Sequence, residues 1–350
     1  MPASTPLIIP TALVGGDRAV SMVDGGIAHW LAGGPLAFAA VEVVEDGGKR
    51  SLLNAEALKR RTDLNPVLER LIAPRHDFAG LALEPPRVMG IVNVTPDSFS
   101  DGGDFADAEA AIAQGGALAE AGADILDIGG ESTRPGAAPI SVGEEIDRVI
   151  PVIEGLIGHG AAISIDTRNA ATMRAAMAAG ASIINDVSAL EYDPESRQTA
   201  AGLGVPVILM HMRGEPSTMR EKTTYDDLAR EVFDELAAQV EAAVAAGIPR
   251  AKIAVDPGIG FAKTQAQNPP LLRDLAALHG LGCALAFGVS RKSFLSAITG
   301  ERDPKRLIGA SIAAALAGLS AGAQIVRVHD VRETVQAMAT SRAIADGSAD

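Results

Sequence analysis

Only one cysteine, Cys283, occurs in 350 residues, so no internal disulfide can form. With no charged-apolar-small leader pattern at the start, the expectation is a reducing cytoplasm. Aromatic residues are equally scarce, at 3% against 47% hydrophobic overall. The core must therefore be built from Ala, Val, Ile and Leu, a composition that suits parallel strands covered by Ala-rich helices. Positive charge is short, with 30 Lys and Arg against 44 Asp and Glu and a formal net charge of -14. This excludes a nucleic-acid footprint, which needs a basic face, and an anionic substrate has to be held by a local basic cluster. Metal-ligand spacings are missing as well: there is no His-x3-His pair and no Cys cluster. The one long uncharged run, 307–326, is mostly Ala, Gly and Ser and reads as a buried helix plus strand, not as a membrane span.

What is present falls into two parts. Residues 1–85 contain a strand over 36–44, a turn at Asp46-Gly-Gly48, and helical stretches over 54–61 and 65–73 with Asn54 and Asn65 as caps and Pro74 as a stop. This small α/β extension carries no chemical motif, and Pro85-Pro86 closes it as an extended connector. Residues 86–350 then alternate short apolar runs with Ala/Glu/Arg-rich helical segments. Eight runs are found, at 88–92, 124–128, 162–165, 182–184, 206–210, 252–255, 284–287 and 325–328. Eight βα units predict an α/β fold of the (β/α)8 TIM-barrel type, with catalytic residues at the C-terminal strand ends. Those ends carry Asn93, Asp127, Asp166, Asn185, His211, Asp256, Ser290 with Lys292, and Arg327 with His329. Any one of these Asp or Asn residues has a simpler reading as a helix cap or turn former, but all eight ends are polar.

Several ends carry more chemistry than a cap requires. The first, MGIVNVTPDSFSDGG from Met89, breaks at Asn93 into a loop of small and polar residues. Asn93 is the candidate ligand for a phosphate-bound Mg2+, an ion that takes one or two protein oxygens plus substrate phosphates. The second, DIGGESTRPGA from Asp127, offers backbone N–H groups, hydroxyls and the Arg134 fork to a phosphate. The eighth, RVHD from Arg327, adds a guanidinium and the His329 imidazole at the start of a helix, with an ion pair to Asp330 as the structural alternative. Together these predict a polyphosphate site. The sixth, DPGIGFAKT from Asp256, has Pro257 and Ala262 where a Walker loop needs glycines. It keeps an acid able to accept two hydrogen bonds from a guanidine-like edge, and Phe261 to stack on a flat ring. The seventh, GVSRKSF from Gly288, adds Arg291 and Lys292. Asp166, Asn185, Asp256 and Lys292 suffice to orient a planar donor-acceptor heterocycle. Met210 reads as core, and no Ser-His-Asp order supports serine nucleophilic catalysis.

These motifs, with SIDT from Ser164, INDVSAL from Ile184 and LMHMRG from Leu209, run in one order through residues 87–345, and over that span the chain resembles the dihydropteroate synthases. The resemblance implies a transferase of folate biosynthesis. Such an enzyme joins (7,8-dihydropterin-6-yl)methyl diphosphate to 4-aminobenzoate by a dissociative route, giving 7,8-dihydropteroate and diphosphate. It further implies small-molecule substrates, Mg2+, sulfonamide competition at the amine site, and a homodimer. Carried over position by position, Asp166, Asn185, Met210, Asp256, Phe261 and Lys292 match the pterin site. Asn93, Thr133, Arg134, Arg327 and His329 match the diphosphate and Mg2+ positions, and Phe99, Thr133, Pro135 and Ser293 match the 4-aminobenzoate side. Asp101 looks like a residue that stabilises the cationic intermediate. Loop 95–103 then reads as a lid that brings Phe99 and Asp101 over the bound diphosphate. Ala262 departs from the family's usual glycine, and the extension has no counterpart in the minimal barrel. Two other readings stand beside this one. A pterin-dependent methyltransferase would not need the diphosphate cluster, and a catalytically silent paralogue would have lost it; here Arg134, Arg327 and His329 are all present.

Overall fold

The structure is a computed structural model that describes residues 6–45, 48–94, 103–133 and 139–347. The extension begins with β1 (Leu7–Val14), α1 (Gly16–Asp24), β2 (His29–Trp30), β3 (Ala37–Val44) and β4 (Arg50–Asn54). Strand β3 pairs antiparallel with each of the other three. Helix α2 (Ala55–Lys59) starts where the Asn54 side chain accepts the Ala57 N–H at 2.8 Å, and α3 (Asn65–Ile72) follows. Ile8, Phe38, Val41 and Val43 pack against Leu58, Val67 and Leu71 of these two helices. Alternation along β1 sends Leu7 and Ile9 the other way, into the core shared with the barrel.

Three details differ from the sequence reading. Strands β1, β2 and β4 and helix α1 are additional, and Pro10 inside β1 obscures the strand signal that its neighbours carry. Asn65 is the first residue of α3 and makes no capping bond; the helix starts with Pro66 in its first turn instead. Of the turn at 46–48, Asp46 and Gly47 lie outside the described residues, while Gly48 takes a φ of +76°.

The second part is a closed barrel of eight parallel strands. They are β5 (Arg87–Asn93), β6 (Ile125–Gly129), β7 (Ala162–Asp166), β8 (Ile183–Asp186), β9 (Val207–Met210), β10 (Ile253–Asp256), β11 (Ala284–Gly288) and β12 (Ile325–Val328). Each falls on one of the eight apolar runs. The helices are α4 (Gly103–Glu120), α5 (Val142–Leu156), α6 (Ala170–Ala178), α7 (Ser196–Leu203), α8 (Leu228–Ala245), α9 (Asn268–Arg273), the short α10 (Ser293–Thr299), α11 (Ile308–Ser320) and α12 (Val331–Asp346). The stretch 307–326 is thus α11 and the start of β12, and among the described residues no helix is long and apolar enough to cross a membrane.

Strand alternation gives the barrel two apolar layers. Val88 and Val92 of β5 face the helices, while Met89 joins Ile125, Ile183, Ile208, Ala254, Ala284 and Ile325 inside. These interior residues come from the early part of their strands. Phe78 and Leu83 of the connector pack into the same cluster and stopper that N-terminal end. The C-terminal end is left for chemistry.

A buried 3-10 segment, Leu275–Leu281, joins the two parts by packing on β1 and α3. Arg75 fixes the junction: its guanidinium donates to the carbonyls of Cys283 at 2.8 Å and His279 at 2.9 Å on the barrel side. It also donates to Ala73 at 2.6 Å and Arg70 at 3.0 Å within the extension. Removing it orphans these acceptors, so Arg75→Ala should lower the unfolding free energy by about 2–4 kcal/mol, as hydrogen bonds to a charged donor warrant. Urea denaturation checks this; a change below about 0.5 kcal/mol would mean that the junction is held by apolar packing alone.

Candidate active site

The strand ends bring three acids, an amide and two cations to one mouth. Arg327, on β12, reaches past β5 and donates from Nε to Asp127 Oδ2 at 2.6 Å and from Nη2 to Asp166 Oδ2 at 2.9 Å. Asn185 Nδ2 donates to the same Asp127 oxygen at 3.1 Å. The other Asp127 oxygen is buried without a hydrogen-bond partner, and Arg327 Nη1 has none among the described residues. Burial pushes the Asp166 carboxyl above the usual carboxylate range, with Arg327 opposing and Asp127 reinforcing the shift. For Arg327, burial works against the charge but the two acids outweigh it and raise its pKa.

Across the mouth, Asp256 ends β10 with its Oδ1 accepting the Gly258 N–H at 2.7 Å. Burial raises its pKa and the nearby Lys292 opposes the rise. Lys292 donates to the Ile259 carbonyl, and its Nζ stands 5.0 Å from the centre of the Phe261 ring. Burial pulls this lysine down to about 8, against the pull of Asp256. The loop between them runs so close to β9 that a Cβ on Gly258 would lie 2.0 Å from the His211 carbonyl. Only glycine fits there, and at its φ of +65°. Ala262, where the resemblance gives glycine, takes a left-handed φ of 48°. A Cβ makes that conformation costly by about 1–2 kcal/mol, and the Tyr225 hydroxyl holds the Ala262 carbonyl at 2.9 Å.

The remaining candidates are placed as follows. Met210, the last residue of β9, is buried and pairs in register with Asp256. His329 lies against Ser290, whose Oγ is 3.0 Å from Nδ1 and accepts the His329 backbone N–H at 3.2 Å. Ser293 is exposed at the start of α10, and Thr133 is half-buried. Asn93 ends β5 half-buried, and its side chain makes no hydrogen bond among the described residues. Among the described residues no group of three or more His, Cys, Asp and Glu could hold a metal ion. The Asn93 side-chain oxygen, which ends β5 with no hydrogen bond among the described residues, is a hard donor able to take one position on a cation such as Mg2+. Phe99, Asp101, Arg134, Pro135 and the rest of the lid over 95–102 lie outside the described residues.

The sequence profile of the pterin binding enzymes matches residues 89–329. The chain belongs to this family. The dihydropteroate synthase of Synechocystis sp. (strain ATCC 27184 / PCC 6803 / Kazusa) is 47% identical over 250 residues, 71% of this chain and 86% of that relative. A Xanthomonas albilineans dihydropteroate synthase solved with 4-aminobenzoic acid has a TM-score of 0.73 at 49% identity, covering 77% of this chain and 98% of the other. A Xanthomonas albilineans structure with 7,8-dihydropteroate gives 0.70 at 46% identity, over 77% and 98%. The family match starts within β5 and ends just past β12, so it coincides with the barrel and leaves the extension outside.

The sequence reading passed over two buried charged residues around the mouth. Asp127 was noted only as a polar strand end, yet it is fully buried and carries the shared oxygen that holds Arg327 and Asn185. A lone acid in an otherwise apolar strand core was the available signal. Lys263, which follows Ala262 in the sixth loop, is nearly fully buried.

Asp127→Ala leaves the guanidinium with one carboxylate. Breaking a buried pair typically costs about 3–5 kcal/mol; because Arg327 keeps 26% side-chain exposure, about 2–3 kcal/mol is expected from urea unfolding. Adding Arg327→Met should recover part of that loss. Unchanged stability in the single variant would mean that the pair does not hold the mouth together.

Proposed function

We infer that the chain catalyses the dihydropteroate synthase reaction of folate biosynthesis, transferring the pterinylmethyl group of (7,8-dihydropterin-6-yl)methyl diphosphate to 4-aminobenzoate. The observation that carries this is the pairing of two surfaces at one barrel mouth, in a chain nearly half identical to the synthases along its barrel. One is an acid, amide and lysine floor beside an aromatic ring, formed by Asp166, Asn185, Asp256, Lys292 and Phe261. The other is a wall of Arg327 and His329.

In this reading Asp256 accepts the 2-amino and N3–H edge of the pterin, and Lys292 donates to its carbonyl. Phe261 and Met210 line the ring. Arg327 keeps the acids in place through Nε and Nη2 and presents Nη1 to the diphosphate, beside His329, Thr133 and Arg134. The C–O bond to diphosphate breaks first, and the negative charge that leaves is met by these cations. The positive charge left on the pterin is stabilised by the buried carboxylates and Asp101. The aromatic amine, held by Phe99, Thr133, Pro135 and Ser293, then forms the C–N bond and releases a proton. Bound through Asn93, Mg2+ would add neutralisation of the leaving diphosphate.

The test supplies both substrates and Mg2+ and follows diphosphate release together with dihydropteroate. Absence of product from folded protein overturns the assignment. Asp256→Asn and Arg327→Ala should each reduce turnover by about two to three powers of ten, the effect of losing one preorganised charge partner. Lys292 offers a charge-assisted donor only while protonated, and burial brings its pKa to about 8. The sign is therefore a fall in kcat/KM as pH rises through about 8, a limb that Lys292→Arg should remove. A limb unchanged in that variant assigns the titration elsewhere.

A further inference from the structure

Behind the sixth loop lies a chain of polar groups that the reaction itself does not use. Lys263 is only 8% exposed, a rare state for a lysine without a paired charge. Its Nζ lies 2.9 Å from His211 Nδ1 and donates to the Phe261 carbonyl at 3.0 Å. His211 Nε2 in turn lies 3.0 Å from Glu235 Oε2 on α8. An ammonium has donors and no acceptor, so Nδ1 must accept, which leaves the imidazole proton on Nε2 to bond Glu235. Burial holds the His211 pKa at about 4, so the ring carries one N–H at neutral pH. Glu235 is anchored by Arg213, which donates to both carboxylate oxygens and lies 3.9 Å over the Tyr225 ring. Tyr225 then closes the circuit on the Ala262 carbonyl.

Two consecutive carbonyls are thus gripped: that of Phe261 by Lys263, which is tied through His211 to Glu235 of α8, and that of Ala262 by Tyr225 of the loop before α8. They flank the one non-glycine residue of the loop with a left-handed backbone, Ala262, and lie three and four residues after Gly258, which lays this loop on His211. Resting on the functional reading above, we propose that Lys263 is a positioning residue for the pterin floor, fixing the Phe261 ring and the Asp256 loop through the Glu235–His211–Lys263 chain without touching substrate. Lys263 reaches the loop through its backbone, so the effect falls on the pterin side. The amine side, built from other loops, should be spared.

The test uses the full chain with Lys263→Met, His211→Phe and the double variant. Burial lowers Lys263 to about 7 and Asp256 opposes this, so measurements are made near pH 6, where the ammonium prevails. Affinity for (7,8-dihydropterin-6-yl)methyl diphosphate is measured by calorimetry, alongside steady-state turnover and urea unfolding. In Lys263→Met, pterin affinity should fall roughly tenfold, as for loss of a charged hydrogen bond. The KM for 4-aminobenzoate should stay within about twofold, and the double variant should lose no more than the worse single one. Nitrogen-15 resonances of His211 should report the Nε2–H tautomer in the wild type and a mixture in Lys263→Met. Normal pterin affinity in folded Lys263→Met, additive losses, or equal damage to both substrates overturns the positioning role. A wild-type chain that binds the pterin but forms no dihydropteroate overturns the functional reading and leaves the positioning role standing.

Discussion

Arg327 spans from β12 to acids on β6 and β7, and that fork is the constraint on which the mouth depends. A guanidinium withdrawn from water has to be matched by carboxylates, and carboxylates withdrawn from water have to be matched by a cation. Asp127 and Asp166 therefore remain where they would otherwise be expelled, and Asn185 is oriented by sharing the Asp127 oxygen. The opposite side repeats the principle more loosely: Lys292 and Asp256 influence each other through space, while each spends its hydrogen bond on a backbone group of the loop between them.

This division lets one small chamber serve charges of both signs. Arg327 is engaged on two of its three nitrogens by the protein, which fixes its plane before any ligand arrives. Preorganisation of this kind is where electrostatic catalysis draws its advantage over water. Ala262 shows the reverse arrangement: a locally unfavourable backbone is retained because the Tyr225 hydroxyl and the packing of the loop on β9 determine it from outside.

The barrel was legible because its signal is repeated. Eight apolar runs, each ending in a polar residue, map onto the eight strands within a residue or two, and the polar ends of six of them supply Asn93, Asp127, Asp166, Asn185, Asp256 and Arg327. The extension was less legible because β2 and β4 are short, at 2 and 5 residues, and carry little pattern of their own. Strand β1 contains Pro10 and gains its second buried face only against the barrel, so its local pattern says little. Individual roles were harder still. Nothing near Asp127 announces that its oxygen will meet a guanidinium 200 residues away. Similarly, the Lys263–His211–Glu235 chain joins a loop, a strand end and a helix that only the closed barrel brings together.

Phe78 and Leu83 close the N-terminal end of the barrel with side chains from the connector, and this makes the chamber a blind-ended well. With that end closed, anything bound at the mouth enters and leaves by the C-terminal face alone, where the polar strand ends converge. A segment that joins two parts of the chain thus also fixes the side from which the site is reached.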